Sequence, residues 1–232
     1  MVAVTGSDAS SADGEPEGRQ PQYRYFVVLG LMLFTVVFLI ASPTANWSRA
    51  LALGTEGVAL VITVATSRER ESVRRRRATV LGVAMLAAVL LIALGLFPHW
   101  LLALAAVVVT AGIPVALVRG LLRLLREAGV TLVAVAGSLA IYLSIGLVFA
   151  WVIGFVALVG DTPFFAQHTN GTEGDKVYFS FTALTTTGFG DFTPATAVGH
   201  AIAVIEMLTG QLYLVTVIGL LIGSFAAGRN SG

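Results

Sequence analysis

Residues Val177 to Pro194 read VYFSFTALTTTGFGDFTP, and the organisation of the whole chain turns on this stretch. Its first part, with Lys176 before it and running to Thr185, is apolar and aromatic and amounts to one short helix. A helix crossing a bilayer core of about 30 Å needs about 20 apolar residues, so this one is too short to span a membrane. Its second part sets Gly188 and Gly190 at alternate positions among Thr186, Thr187, Phe189 and Asp191. Glycines so spaced admit backbone conformations that side chains disfavour. On either side lies a run long enough to span, 131–160 before and 197–227 after, and both exceed the minimum length.

The composition agrees. Hydrophobic residues make up 56% of the 232 and charged residues only 12%, against about 25% in a soluble domain, so the chain is read as a membrane protein. Four further segments are candidate spans: Tyr23 to Ala41, Arg49 to Thr66, Ala78 to Phe97, and Trp100 to Val118 with Pro114 near its end. The second is the weakest, because Gly54, Glu56 and Gly57 interrupt it. There is no cysteine, so disulfides and thiolate metal sites are excluded, and three scattered histidines make no metal site. No nucleophile–base pair or phosphate-binding loop is recognisable. Neither enzymatic activity nor a bound cofactor nor a nucleic-acid partner is therefore expected.

Arginine sets the sidedness. Arg68, Arg70, Arg74, Arg75, Arg76 and Arg77 fall between the second and third candidate spans, and Arg119, Arg123 and Arg126 between the fourth and fifth. Basic residues in short loops stay on the cytoplasmic side. Six spans with both termini inside leave only Arg49 and Lys176 of the 14 basic residues outside. The expected organisation is a disordered cytoplasmic tail over 1–22, a four-helix region over 23–118, an amphipathic cytoplasmic linker over 119–130, and a terminal unit over 131–228. A cleaved signal peptide is the competing reading of the first span, but its apolar run is longer than the 7–15 residues usual for a signal core.

Residues Thr186-Thr187-Gly188-Phe189-Gly190-Asp191 resemble the selectivity filter T-V-G-Y-G-D of the potassium-channel family, and the resemblance covers the chain from Thr131 onward. It implies an all-α membrane protein in which a re-entrant pore helix (176–185) and a filter loop (186–191) lie between an outer helix (131–160) and an inner helix (197–227). It also implies a homotetramer in the plasma membrane, since each chain supplies one filter. Potassium would be the permeant ion, held by the backbone carbonyls of Thr186, Thr187, Gly188 and Phe189 and by the Thr186 hydroxyl, with Gly190 closing the filter. Tyr178, Phe179, Thr182 and Asp191 occupy the family's filter-supporting positions, and Gly210 falls where the family has its inner-helix hinge. The C-terminal end of the pore helix would turn partial negative charge toward the ion cavity.

Several positions depart from the family pattern. Phe189 lacks the hydroxyl of the commoner Tyr, and Thr187 replaces Val or Ile with a hydroxyl that needs a partner or a water. Thr182 stands where many small bacterial channels carry Glu. Glu206, inside the last span, is expected either to pack behind the pore helix as a neutral, hydrogen-bonded group or to act as a cavity acid, because ionisable residues within membranes are costly and by default functional. Asp161, Glu173 and Asp175 lie in the outer loop, where they raise the local cation concentration or simply solvate the loop. Trp100 to Val118 contains no arginine, so voltage sensing is not expected. After the last span only Gly228 to Gly232 remain, too few for a regulatory domain. Rival functions are a weakly selective cation channel, an accessory membrane subunit, and a transporter with four degenerate pore repeats, of which this chain has one.

Overall fold

The computed structural model of the protein describes residues 22–42, 46–65, 99–219 and 221–223. The expected third span, 78–97, the arginine cluster at 68–77 and the tail over 1–21 lie outside the described residues. The described elements are all helical: α1 (Gln22–Ala41), α2 (Asn46–Ala65), α3 (His99–Ala128), α4 (Leu132–Val159), α5 (Glu173–Leu184) and α6 (Ala197–Leu212), followed by a π-helical segment, Tyr213–Ile218. Among the described residues four helical stretches are long and apolar enough to cross a membrane: Arg24–Ala41, Ala103–Arg126, Leu132–Val159 and Ala197–Gly223. α2 contributes a shorter apolar stretch, Leu51–Thr63. The weakness read at Gly54, Glu56 and Gly57 corresponds to this shorter run.

α4 is the centre of the bundle and packs against α1, α3, α5 and α6. It is apolar all round, as a helix enclosed by others must be, and it is rich in small residues. Membrane helices associate through such residues because backbones then approach closely. A Cβ added at Gly137 would lie 2.9 Å from the Tyr25 ring, and one at Gly146 would lie 2.7 Å from the Phe181 ring. α1 meets this centre along Tyr25, Val28, Met32, Val36 and Leu39, all buried, a stripe at helical spacing. Its opposite face, with Phe26, Leu33, Phe34 and Val37, is exposed and apolar, which suits lipid.

The two ends of the bundle differ. At one end Tyr25 lies over Gly120 of α3 and Gly137 of α4, so Arg24 lies near the end of α3 that carries the exposed Arg119 and Arg123. At the other end the Leu39 carbonyl and Ile40 of α1 abut Gly174, at the start of α5. Arg24, Arg119 and Arg123 and the loop between α4 and α5 therefore occupy opposite ends. α3 runs without a break to Ala128, so the expected linker over 119–130 is the continuation of the fourth span. Nothing between 119 and 128 stops a helix. Gly129, in the left-handed region at φ 67°, ends it. Arg119, Arg123 and Arg126 are exposed while Leu117 and Leu121 are buried, so the expected amphipathic character is present.

A buried carboxylate joins the N-terminal helices to α4. Glu56 of α2, fully enclosed, accepts a hydrogen bond from the Thr110 hydroxyl of α3 and from the Trp151 indole of α4 at 3.1 and 3.2 Å. The acid that weakened the hydropathy of this segment thus faces protein.

Candidate ion-conduction site

The short helix starts earlier than the apolar pattern suggests, at Glu173, because a capping box forms upstream of it. Thr172 Oγ1 accepts from the Asp175 amide at 3.0 Å and the Asp175 carboxylate accepts from the Thr172 amide at 2.7 Å, satisfying two of the donors a helix start leaves open. Glu173 pairs with Lys176 at 3.2 Å. Two of the three outer-loop acids, Glu173 and Asp175, are thus engaged in starting α5, and Asp161 is exposed.

Beyond Leu184 the chain leaves the helix and reverses along it. The amides of Thr187 and Gly188 both donate to the Thr182 carbonyl, at 2.9 and 3.3 Å. φ is positive at Thr186 (56°), Gly188 (56°) and Gly190 (78°), and not at Thr187 or Phe189 between them. In a strand successive carbonyls point to opposite sides; alternating the sign of φ turns them toward one side. Glycine adopts positive φ without penalty, whereas a side chain there costs about 1–2 kcal/mol. Thr186 carries that cost and is held by hydrogen bonds. Its hydroxyl donates to the Thr185 carbonyl at 2.7 Å and accepts from the Gln211 amide of α6 at 2.7 Å. The Thr187 hydroxyl, for which a partner was needed, lies 2.8 Å from the Thr185 hydroxyl. Residues 185–191 are exposed in the single chain.

Aromatic packing supports this segment from behind. Phe189 is 70% exposed and stacks on Tyr178, with centroids 6.3 Å apart and planes 8° from parallel. The Asp191 carboxylate, more than burial, raises the Tyr178 phenol's pKa above its ordinary value. Asp191 Oδ1 accepts from the Phe192 amide at 3.1 Å. Phe179 is buried against Phe164 and Phe165. The Thr182 hydroxyl turns back on its own helix, to the Phe179 carbonyl at 2.8 Å, and its support of the loop comes through its carbonyl.

The loop between α4 and α5 takes part in ways its sequence does not signal. Gln167 donates to the Asp191 carbonyl at 2.8 Å, and backbone bonds of 2.8 Å tie Ala166 to Thr193 and Ala195 to Phe164. Glutamine in a polar loop carries no pattern that would single it out.

In α6, Gly210 sits against the end of α5: any Cβ there would overlap the Leu184 carbonyl. That carbonyl also accepts from the Tyr142 hydroxyl at 3.3 Å. Three residues later the helix widens into its π-helical segment, a feature frequent at functional sites, and the Tyr213 hydroxyl there donates to the Ser138 carbonyl of α4 at 2.7 Å. Glu206, one turn before Gly210, has no exposure. Its Oε1 lies 2.5 Å from the Ser180 hydroxyl of α5, which is in turn 2.7 Å from the Gly146 carbonyl of α4. One residue pair thereby links all three elements around the loop. Glu206 Oε2 has no hydrogen-bond partner among the described residues.

Residues 137–226 match a family described as ion channel, a span that takes in most of α4 and all of α5, the 185–191 loop, α6 and the π-helical segment. This part of the chain is similar to ion-channel domains, set within a membrane protein. No curated protein and no solved structure matches the chain.

Proposed function

We propose that the chain is one subunit of a potassium-selective channel, in which four copies bring their 186–190 segments around one axis and potassium crosses the membrane passively between them. The observation that carries this reading is the alternation of φ along Thr186, Thr187, Gly188, Phe189 and Gly190. Carbonyls turned one way in succession can replace the hydration shell of a potassium ion once four chains form rings. The exposure of 185–191 in the isolated chain supports assembly, because irregular backbone at membrane depth is tolerated only where it lines a water-filled path or is buried in protein.

In this reading Tyr178, Phe179, Thr182 and Asp191 hold the filter, Gly210 sets how closely the inner helix meets it, and Glu206 ties the pore helix to its neighbours. The basic end faces the cytoplasm of a cell whose plasma membrane holds the protein, and the outer loop faces outside. Gating does not depend on voltage, since the stretch from Trp100 to Val118 holds no arginine.

The test is ion flux from the purified full-length protein in liposomes under potassium, rubidium and sodium gradients. Potassium and rubidium should pass and sodium should not. Equal sodium flux would return the weakly selective cation channel, and no flux from a protein that stays monomeric would return the accessory subunit.

A further inference from the structure

The Gln211 side chain reaches the start of the filter from a different helix. A threonine hydroxyl offers one proton and two lone pairs. At Thr186 the proton goes to the Thr185 carbonyl and one lone pair accepts the Gln211 amide. The second lone pair has no partner among the described residues. This contact requires α6 to approach α5 closely, which the glycine at 210 permits because a side chain there would overlap the Leu184 carbonyl. Gly210 and Gln211 are thus one device. The glycine brings the helix in and the amide uses the distance.

Resting on the channel reading above, we propose that Gln211 is a positioning residue for the innermost ion site: it fixes the Thr186 hydroxyl so that an oxygen lone pair faces the ion, and it thereby sets the occupancy of that site. Gln211 need not touch the ion itself. Its effect should pass through the Thr186 hydroxyl and vanish when that hydroxyl is gone.

Barium, a divalent ion of nearly potassium size, is the probe. The experiment is planar-bilayer recording of the full-length protein with barium added on the face opposite the outer loop. Gln211→Met keeps the length of the side chain and removes the donor. It should raise the half-blocking barium concentration about fivefold, the factor that one ordinary hydrogen bond contributes. Gly210→Ala should shift block in the same direction. On a Thr186→Ala background, Gln211→Met should add nothing, since coupled residues are non-additive. If Thr186→Ala carries no current, Thr186→Ser, which keeps the hydroxyl, replaces it, and there the fivefold effect must persist. If Gln211→Met fails to assemble, Gln211→Asn, whose amide falls short of Thr186, is read by the same criteria.

Unchanged barium block in Gln211→Met, an equal shift with and without the Thr186 hydroxyl, or loss of the shift in Thr186→Ser overturns the proposal while leaving the channel reading intact. Absence of potassium-selective current from the unsubstituted protein overturns both.

Discussion

Two acids are sealed inside this protein, Glu56 in the N-terminal helices and Glu206 in α6, and they are held differently. Both oxygens of Glu56 are within reach of donors, Thr110 on α3 and Trp151 on α4. Glu206 has one oxygen at the Ser180 hydroxyl and the other unpartnered among the described residues. A fully satisfied polar network rigidifies its surroundings, whereas a partly satisfied one is costly in low dielectric. The joint between the N-terminal helices and α4 is therefore closed, and the joint between α5 and α6 leaves one buried oxygen without a partner among the described residues. Cost is tolerated beside the 185–191 loop and avoided where helices merely dock.

The largest effect expected is on the loop that the second joint supports. Gly188→Ala or Gly190→Ala should abolish potassium flux while the protein still reaches the membrane, because both glycines have positive φ. Gly54→Ala, in a helix of the N-terminal region with no atom within 4 Å of the new Cβ, should leave flux intact and stabilise by about 0.5–1 kcal/mol. Liposome flux and thermal unfolding of the three variants measure the contrast. Selective flux from either the Gly188 or the Gly190 variant would show that 186–190 is not the ion path.

Glu206→Ala comes next, since it leaves a void and removes a partner from Ser180. A destabilisation of about 2–4 kcal/mol is expected, seen as earlier dissociation on heating and weaker protection by potassium. Glu206→Gln should conduct almost normally. The single Ser180 proton cannot serve the Gly146 carbonyl and residue 206 at once, and an amide at 206 brings a donor of its own. Poor conduction by Gln together with normal assembly by Ala would make Glu206 a cavity acid instead.

Glu56→Ala should cost at least as much stability, about 2–4 kcal/mol, since it leaves a like void and strands the buried Trp151 and Thr110 donors, but it should affect conduction less. Its signature is a lower unfolding midpoint with potassium-to-sodium selectivity unchanged in the protein that survives. Altered selectivity would show that the two joints are not separate. The smallest effect is expected at the basic end. Replacing Arg119, Arg123 and Arg126 together should leave the voltage dependence of current flat, although moving one charge through 100 mV is worth about 2.3 kcal/mol. A steep activation curve lost in the triple variant would put a voltage sensor on α3.

Much of the helical framework was readable from the chain alone because it depends on local rules. Hydropathy located α1, α3, α4 and α6, and the short apolar run before Thr186 located α5. Its true start at Glu173 depended on a capping box, Thr172 with Asp175, that a hydropathy reading overlooks. The spacing of Gly188 and Gly190 pointed to the positive φ values found there, whereas Thr186 shares that conformation without any compositional sign of it.

What residues 131–228 determined by themselves was the order of helix, short helix, glycine loop and helix, because span length and glycine geometry are properties of neighbouring residues. Only the tertiary structure decided which distant side chains meet: Gln211 with Thr186, Ser180 with Glu206, Gln167 with Asp191, and Glu56 with Trp151. Each is a polar residue in a segment whose pattern gives it no partner. Hydrogen bonds between positions 24 to 95 residues apart arise only when packed helices set the distance. In an apolar bundle that distance is governed by small residues such as Gly146 and Gly210, whose effect lies in the atoms they omit.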